Sequence, residues 1–225
     1  MQSILNYHFK FLHDMDDSDI IKTLESPIID NTRMLIEQKG LGEFEGIFVF
    51  SEAIKERVYD FDKEDFIEIT SQKFNTVDFS INIYNEILEV WGSRKGAQRV
   101  IGVLSQLFQN QIIVDQYEIS FEKVIGYLKD CNTVSVGKVK AKEIVIENGL
   151  IADCIFDLSF AEKPFYILDK YKKSIDRIRF DLETENIKVG ITLYHSGLIS
   201  VHKNREFISD EIMTMIHKII NASRR

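Results

Sequence analysis

Apolar and polar residues alternate through two similar stretches of the chain, and each stretch gives way to a pattern of helical period. Residues 81–96 read INIYNEILEVWGSRKG, and residues 191–207 read ITLYHSGLISVHKNREF. Period-two alternation predicts a pair of strands in each. In the first, a two-residue turn at Asn85-Glu86 would pair Ile83 with Leu88 and Ile81 with Val90. Those four then share one face, and Asn82, Tyr84, Ile87, Glu89 and Trp91 share the other. In the second, a three-residue turn ending at Gly197 would pair Leu193 with Ile199 and Ile191 with Val201, with glycine supplying the left-handed residue of the turn. The opposite face is then Thr192, Tyr194, Leu198, Ser200 and His202. Helices over 94–109 and 206–221 follow, with apolar residues at three- and four-residue spacing that suit them to cover the apolar faces.

The similarity extends upstream. IFVFSEAIKERVYDF (47–61) lies without gaps over IVIENGLIADCIFDL (144–158), matching Ile47 to Ile144, Ile54 to Ile151, Val58 to Ile155 and Asp60 to Asp157. A domain duplication is the reading, with an insertion near FAEKPFYILDKYKKS in the second copy. Each copy opens with an extended run and a helix: ILNYHFKFLH and residues 17–25 in the first, QIIVDQYEIS and FEKVIGYLKD in the second. A further helical stretch in the first copy is expected to follow Pro27 and end at Lys39-Gly40. Hairpins are expected at IFVFS/RVYDF and at EIVIE/LIADCIFDL, the latter turning at Asn148-Gly149. Strands 66–71 and 177–183 precede the two opening stretches. The fold class is therefore α+β: two tandem αβ repeats, 1–110 and 111–225, each a mostly antiparallel sheet with helices on one face.

Composition narrows the function classes. Of 225 residues, 44% are hydrophobic and 28% charged, a balance that supports a packed core. No apolar run approaches the roughly 20 residues of a membrane-spanning helix, and the N-terminus lacks the pattern of a signal peptide. Cys131 and Cys154 have no metal-ligand spacing and are too few for a disulfide framework. A cytoplasmic protein is expected. The net charge of −8 is unevenly spread: residues 1–80 carry 17 acids and 8 bases, whereas residues 160–225 carry 9 and 12. An acidic chain repels nucleic acid at long range, leaving a local basic site or a basic protein partner for the acidic N-terminal third.

Basic residues cluster where each predicted hairpin enters its helix: Arg94, Lys95 and Arg99 in the first copy, Lys203 and Arg205 in the second. Cations are unusual at a helix N-terminus and suggest a phosphate nearby, with amides at Ser93 and Arg94 able to approach it between Gly92 and Gly96. ITLYHSGLISVHK and INIYNEILEVWGSRK, each with its following helix, resemble the strand–turn–strand–basic loop–helix signature of the TATA-box-binding-protein-like fold. The resemblance implies a nucleic-acid- or substrate-binding module. The chain departs from the DNA-bending members in being acidic and in lacking their paired wedge phenylalanines.

Catalytic and metal motifs are absent from the sequence. DMDDSDIIKTLE (14–25) has calcium-loop spacing, but Asp19 stands where the loop needs glycine, and an acidic helix start accounts for it. Glu37-Gln38-Lys39 mimics a nuclease carboxylate–lysine set and is set aside because the segment reads as helix. No cofactor is expected. The sequence thus predicts a non-catalytic nucleic-acid-binding accessory module. Tyr84, Trp91 and Tyr194 would stack on bases, Arg94, Lys95, Arg99, Lys203 and Arg205 would hold phosphates, and His202 would belong to the same nucleic-acid-binding surface. The alternative is a protein adaptor or homodimer. The Ile, Lys, Asn and Asp bias suggests an AT-rich genome and a bacterial or phage conflict system.

Overall fold

A computed structural model describes residues 1–26, 32–147, 149–184 and 187–223. Among these the protein is α+β, with an eleven-strand antiparallel sheet and five α-helices. The chain divides into two compact units, Phe9–Val114 and Met1–His8 with Asp115–Arg225. Strand β1 (Gln2–Phe11) contributes residues to both.

The first unit contains α1 (Asp17–Leu24), β2 (Thr32–Gly40), β3 (Glu43–Asp60), β4 (Asp65–Asn82), β5 (Ile87–Trp91) and α2 (Arg94–Leu107). Its strands lie in the order β2-β3-β4-β5. Strand β2 occupies the segment whose sequence reads as helix; Pro27, expected to start that helix, lies outside the described residues. Met, Leu, Glu, Gln and Lys favour helix, but the alternation of Met34 with its neighbours fits the edge of β3, where Met34 lies opposite Phe48 and Leu35 opposite Ile47. Helix α2 buries Ala97, Val100 and Leu104 along one stripe, and Ser93 caps it by accepting a hydrogen bond from the Gly96 amide at 3.0 Å.

The predicted hairpin IFVFS/RVYDF is instead one unbroken strand. β3 pairs with β4 along its whole length, from Glu43 opposite Asn82 to Asp60 opposite Asp65. The upstream alignment of the two copies therefore sets a single strand over a strand–turn–strand. β2 reaches only as far as Phe50, and β5 only as far as Asp78. Residues 51–60 and 65–77 thus form a two-stranded arm about 30 Å long, with no third strand paired to either edge among the described residues. The first terminal hairpin is also re-registered. Ile81 lies opposite Leu88 and Phe79 opposite Val90, with a four-residue connection whose last residue, Glu86, has φ +47°. A slip of two residues keeps each side chain on its expected face.

The second unit contains β6 (Ile112–Gln116, shared at the boundary), α3 (Phe121–Lys129), β7 (Val134–Val145), β8 (Ile151–Asp157), α4 (Pro164–Tyr171), β9 (Ile175–Glu183), β10 (Lys188–Tyr194), β11 (Leu198–Val201) and α5 (Asp210–Ala222). Its strands run β8-β7-β9-β10-β11, with Gln2–Leu5 of β1 beyond β11. The terminal hairpin has the expected register, Ile191 opposite Val201 and Leu193 opposite Ile199. Gly197 sits at φ +76°, and a Cβ there would meet the Tyr117 carbonyl oxygen at 2.5 Å, so the position admits only glycine without a backbone shift. Gly149 turns the β7–β8 hairpin at φ +81°; Asn148 lies outside the described residues. Ile178, Phe180, Leu182, Ile191, Leu193 and Val201 are 0–1% exposed and form the apolar side of this sheet. Helix α5 buries Ile212, Ile216, Ile219 and Ile220 on one stripe, and Tyr117 anchors its end by donating from its hydroxyl to the Ile220 carbonyl at 2.9 Å.

Candidate functional site

Burial redraws the surface expected to bind. Every residue of β5 is buried, including Glu89 and Trp91, the latter 8% exposed. In the second unit Thr192 and Ser200 are buried as well. The central strands are thus enclosed on both faces rather than open on one. Of the other sequence-predicted stacking rings, Tyr194 is half-buried and Tyr84, on the connecting loop, is 64% exposed. Tyr84 lies beside Gly42 in a groove of about 280 Å³ whose lining includes Lys10, Asp14, Asp17 and Glu86.

The basic junctions are largely committed to structure. Lys95 and Arg99 both bond to Glu52, Lys95 at 3.3 Å, and the Arg99 guanidinium lies 4.3 Å from the centre of the Phe50 ring. The Gly96 amide is already taken by Ser93, and a Cβ at Gly96 would meet Val77 at 2.9 Å. This glycine serves helix–sheet packing, not a phosphate cradle. Arg94 is exposed. Lys203 and Arg205 precede α5 by several residues, Arg205 opening a single 3-10 turn. The helix itself starts at Asp210 and Glu211 under a Ser209 cap, so its positive end is complemented by acids.

Hydrogen bonding to Lys95, with the charge of Arg99, holds the Glu52 carboxyl below the usual carboxylate range. A depressed carboxyl contributes stability above its unfolded value, and that contribution is lost as pH falls through the folded one. Glu52→Gln should therefore narrow its Tm gap to the parent protein as pH drops below about 4.5, where the parent loses the same interaction. Thermal melts from pH 3 to pH 7 check this; a gap that stays constant refutes it.

The basic residues of the second unit gather on β7, β9 and β10. The apolar phase of β7 slips at Gly137, where a bulge separates Val136 from Lys138. Beyond it Val139 and Ala141 face inward, and Lys138 and Lys140 face outward with Arg179 and Arg177 directly opposite them. The two rows continue across β10, Arg179 opposite Thr192 and Arg177 opposite Tyr194. The Arg177 guanidinium lies 5.9 Å from the centre of the Tyr194 ring. On the other side Asp157 reaches Lys138 and Asp153 reaches Lys140, each at 3.5 Å. Arg177 and Arg179 have no carboxylate within ion-pair distance among the described residues. Like charges directly opposed across strands cost about 0.2–1 kcal/mol per pair; Asp157 and Asp153 offset part of that on the lysine side, and an anion at Arg177 and Arg179 would relieve the rest.

His202 borders this face. Its Nε2 lies 3.0 Å from the Thr192 hydroxyl, and burial, then the charge of Arg179, holds the imidazole below its usual range. Near neutrality it acts as a hydrogen-bonding ring more than as a cation. Past Arg177 and Tyr194 the face opens into a groove of about 450 Å³ lined by Lys142, Lys173, Asp176, Tyr194 and His195. Lys142 pairs with Asp176 at 2.6 Å, which raises its pKa.

The carboxylate–lysine set of β2 is on a strand after all, so its helical reading no longer dismisses it. Lys39 bridges Glu37 at 2.7 Å and Glu45 at 3.8 Å, on an open surface. Among the described residues no group of three or more His, Cys, Asp or Glu side chains is placed to hold a metal ion. No helix among them is long and apolar enough to cross a membrane. The chain matches no family model and no curated protein.

Proposed function

We propose that this protein is a non-catalytic binding module whose second unit holds a strand of nucleic acid on the outward face of β7, β9 and β10. The observation that carries the reading is the two pairs of opposed like charges, Lys138 with Arg179 and Lys140 with Arg177, on an otherwise acidic chain. Such pairs favour a polyanion laid across the strands. Tyr194 supplies a ring beside Arg177 on which a base can stack, and the exposed His202, held by Thr192, supplies a hydrogen-bonding edge. Two of the residues expected from sequence, Tyr194 and His202, belong to this face; the lysines and arginines that replace the junction bases do not come from the repeated stretches.

A tandem duplication is part of the same proposal. Each unit orders its strands alike, with the terminal hairpin at one end and the earlier strands toward the other: β5-β4-β3-β2 in one and β11-β10-β9-β7-β8 in the other. Helices α2 and α5 close the two halves at corresponding places in the chain. The likeness to the TATA-box-binding-protein-like fold rests on this order together with the hairpin–helix stretches. The adaptor reading has its own support in the exposed apolar residues of the β3–β4 arm.

Fluorescence anisotropy with short labelled single- and double-stranded DNA and RNA tests the proposal. Binding should be strongest to single strands and should weaken steeply from low to physiological salt, because bound phosphates release counterions. Absence of binding at low salt overturns the nucleic-acid reading.

A further inference from the structure

The β3–β4 arm carries an apolar load that a two-stranded ribbon does not need for its own sake. Phe61 is 86% exposed, Phe74 66% and Phe66 52%, and Val58, Tyr59 and Ile69 are exposed as well. Cross-strand register divides them between both faces: Tyr59 opposite Phe66 on one, Val58 opposite Ile67 on the other. Isolated two-stranded ribbons are marginal in water, and edges of this kind invite a partner.

The tip is nevertheless well organised. The Tyr59 ring meets Phe61 and Phe66 edge-on, each at 5.1 Å, and the Arg57 guanidinium lies 5.2 Å from the centre of the Phe66 ring. Asp60 Oδ1 accepts from the Asp62 amide at 3.0 Å and the Lys63 amide at 3.3 Å, which fixes the turn. Around these rings stand Asp60, Asp62, Glu64 and Asp65 against the two bases Arg57 and Lys63. An aromatic cluster ringed by carboxylates fits a surface that is cationic and carries apolar or aromatic side chains. Two such tips repel each other, so arm-to-arm pairing is disfavoured.

The chain itself presents the complementary surface. Among the described residues Arg177 and Arg179 stand without ion pairs on the β9 face, next to Tyr194 and, opposite Lys140, to Ile155, which is 65% exposed. We propose that the arm tip of one copy docks on the β7–β9–β10 face of a second copy. Carboxylates of the tip meet Lys138, Arg177 and Arg179, and Phe61 and Phe66 lie against the guanidinium planes and Ile155. The contact joins unlike surfaces, so it propagates head to tail instead of closing as a two-fold dimer. It rests on the cationic face described above but not on that face's binding nucleic acid. Arm and strand then compete for one surface.

Sedimentation velocity without nucleic acid tests this, over a range of concentrations at low and physiological salt. The wild-type protein should form concentration-dependent oligomers that dissociate as salt rises. An arm variant, Phe61→Ala with Phe66→Ala, and a face variant, Lys138→Glu with Arg179→Glu, should each remain monomeric. Mixed in equal amounts they should form a dimer and nothing larger, because only the intact arm of one and the intact face of the other remain. A wild type that stays monomeric at low salt, a single variant that assembles like the parent, or a mixture that stays monomeric overturns the proposal. Asp62→Lys with Glu64→Lys leaves both strands and all the rings in place, and it should abolish assembly in the same way if the alanine variant misfolds. At concentrations where the parent is monomeric the arm variants keep its oligonucleotide affinity under the nucleic-acid reading, so failure of either idea leaves the other readable.

Discussion

Reversing one cross-strand pair, Lys138→Glu with Arg179→Glu, should lower single-strand affinity by roughly two orders of magnitude at low salt, since each change removes a cation and adds an anion at the proposed phosphate path. The slope of log K against log salt should become shallower by about two, one for each phosphate no longer neutralised. The structural cost should be modest: two opposed acids replace two opposed bases in solvent, and the exposed Lys138–Asp157 pair is lost. Arg179→Lys separates charge from shape. It keeps the slope while losing the planar fork that pairs bidentately with phosphate, so its affinity should fall less than that of the reversal. Unchanged binding in the reversal, with loss in Arg94→Ala, would move the site to the exposed junction base at the start of α2.

Phe180→Ala should be the most destabilising single change beneath this face, at about 3–5 kcal/mol. Phe180 is fully buried in β9, opposite Val136 on one side and Ile191 on the other. Truncating it leaves a cavity under the strands that carry Arg177 and Arg179. Urea unfolding gives the measurement. The chain has one tryptophan, Trp91, buried in the first unit, so its fluorescence follows that unit while far-ultraviolet circular dichroism follows both. A shift below about 1 kcal/mol would show that the site collapses around the smaller side chain and that the face does not depend on this ring.

How far the sequence could be read depended on whether the local chemistry admitted one answer. The second terminal hairpin was read in register because Gly197 occupies a backbone conformation that few other residues accept, which pins the turn. The first has no such residue. Its loop ends on Glu86 in the left-handed region, and the strands pair two residues away from the expected register. Strand β2 was hidden by side chains that favour helix when taken alone, and only the neighbouring edge of β3 decides otherwise. The break expected between Ser51 and Arg57 does not exist, since β4 supplies partners along all of β3.

The candidate site was written in the chain more plainly than the repeated stretches suggested. GKVKAK and DRIRF each alternate bases with apolar residues, the signature of a strand with a cationic outer face. Val134 and Val136 are out of phase with Val139 and Ala141, and that slip marks the bulge at Gly137. What the sequence could not supply is the pairing of β7 with β9, strands separated by a hairpin and a helix, which sets lysine against arginine. Burial of Trp91 was equally out of reach, because an alternating strand covered on one side and a strand covered on both can share one sequence pattern.

The two-stranded arm has a consequence for how the molecule opens. Among the described residues the ladder of β3 and β4 beyond Phe50 and Val77 runs only between those two strands, so the ribbon can fray from its tip without breaking any pairing described elsewhere in the sheet. Its amides belong to the low end of the local-unfolding scale, while those of β5, β10 and β11 exchange with the core. A segment that melts and re-zips on its own can be caught by a partner in its ordered form, and the free energy of that capture is set by the arm's own ladder instead of by global stability.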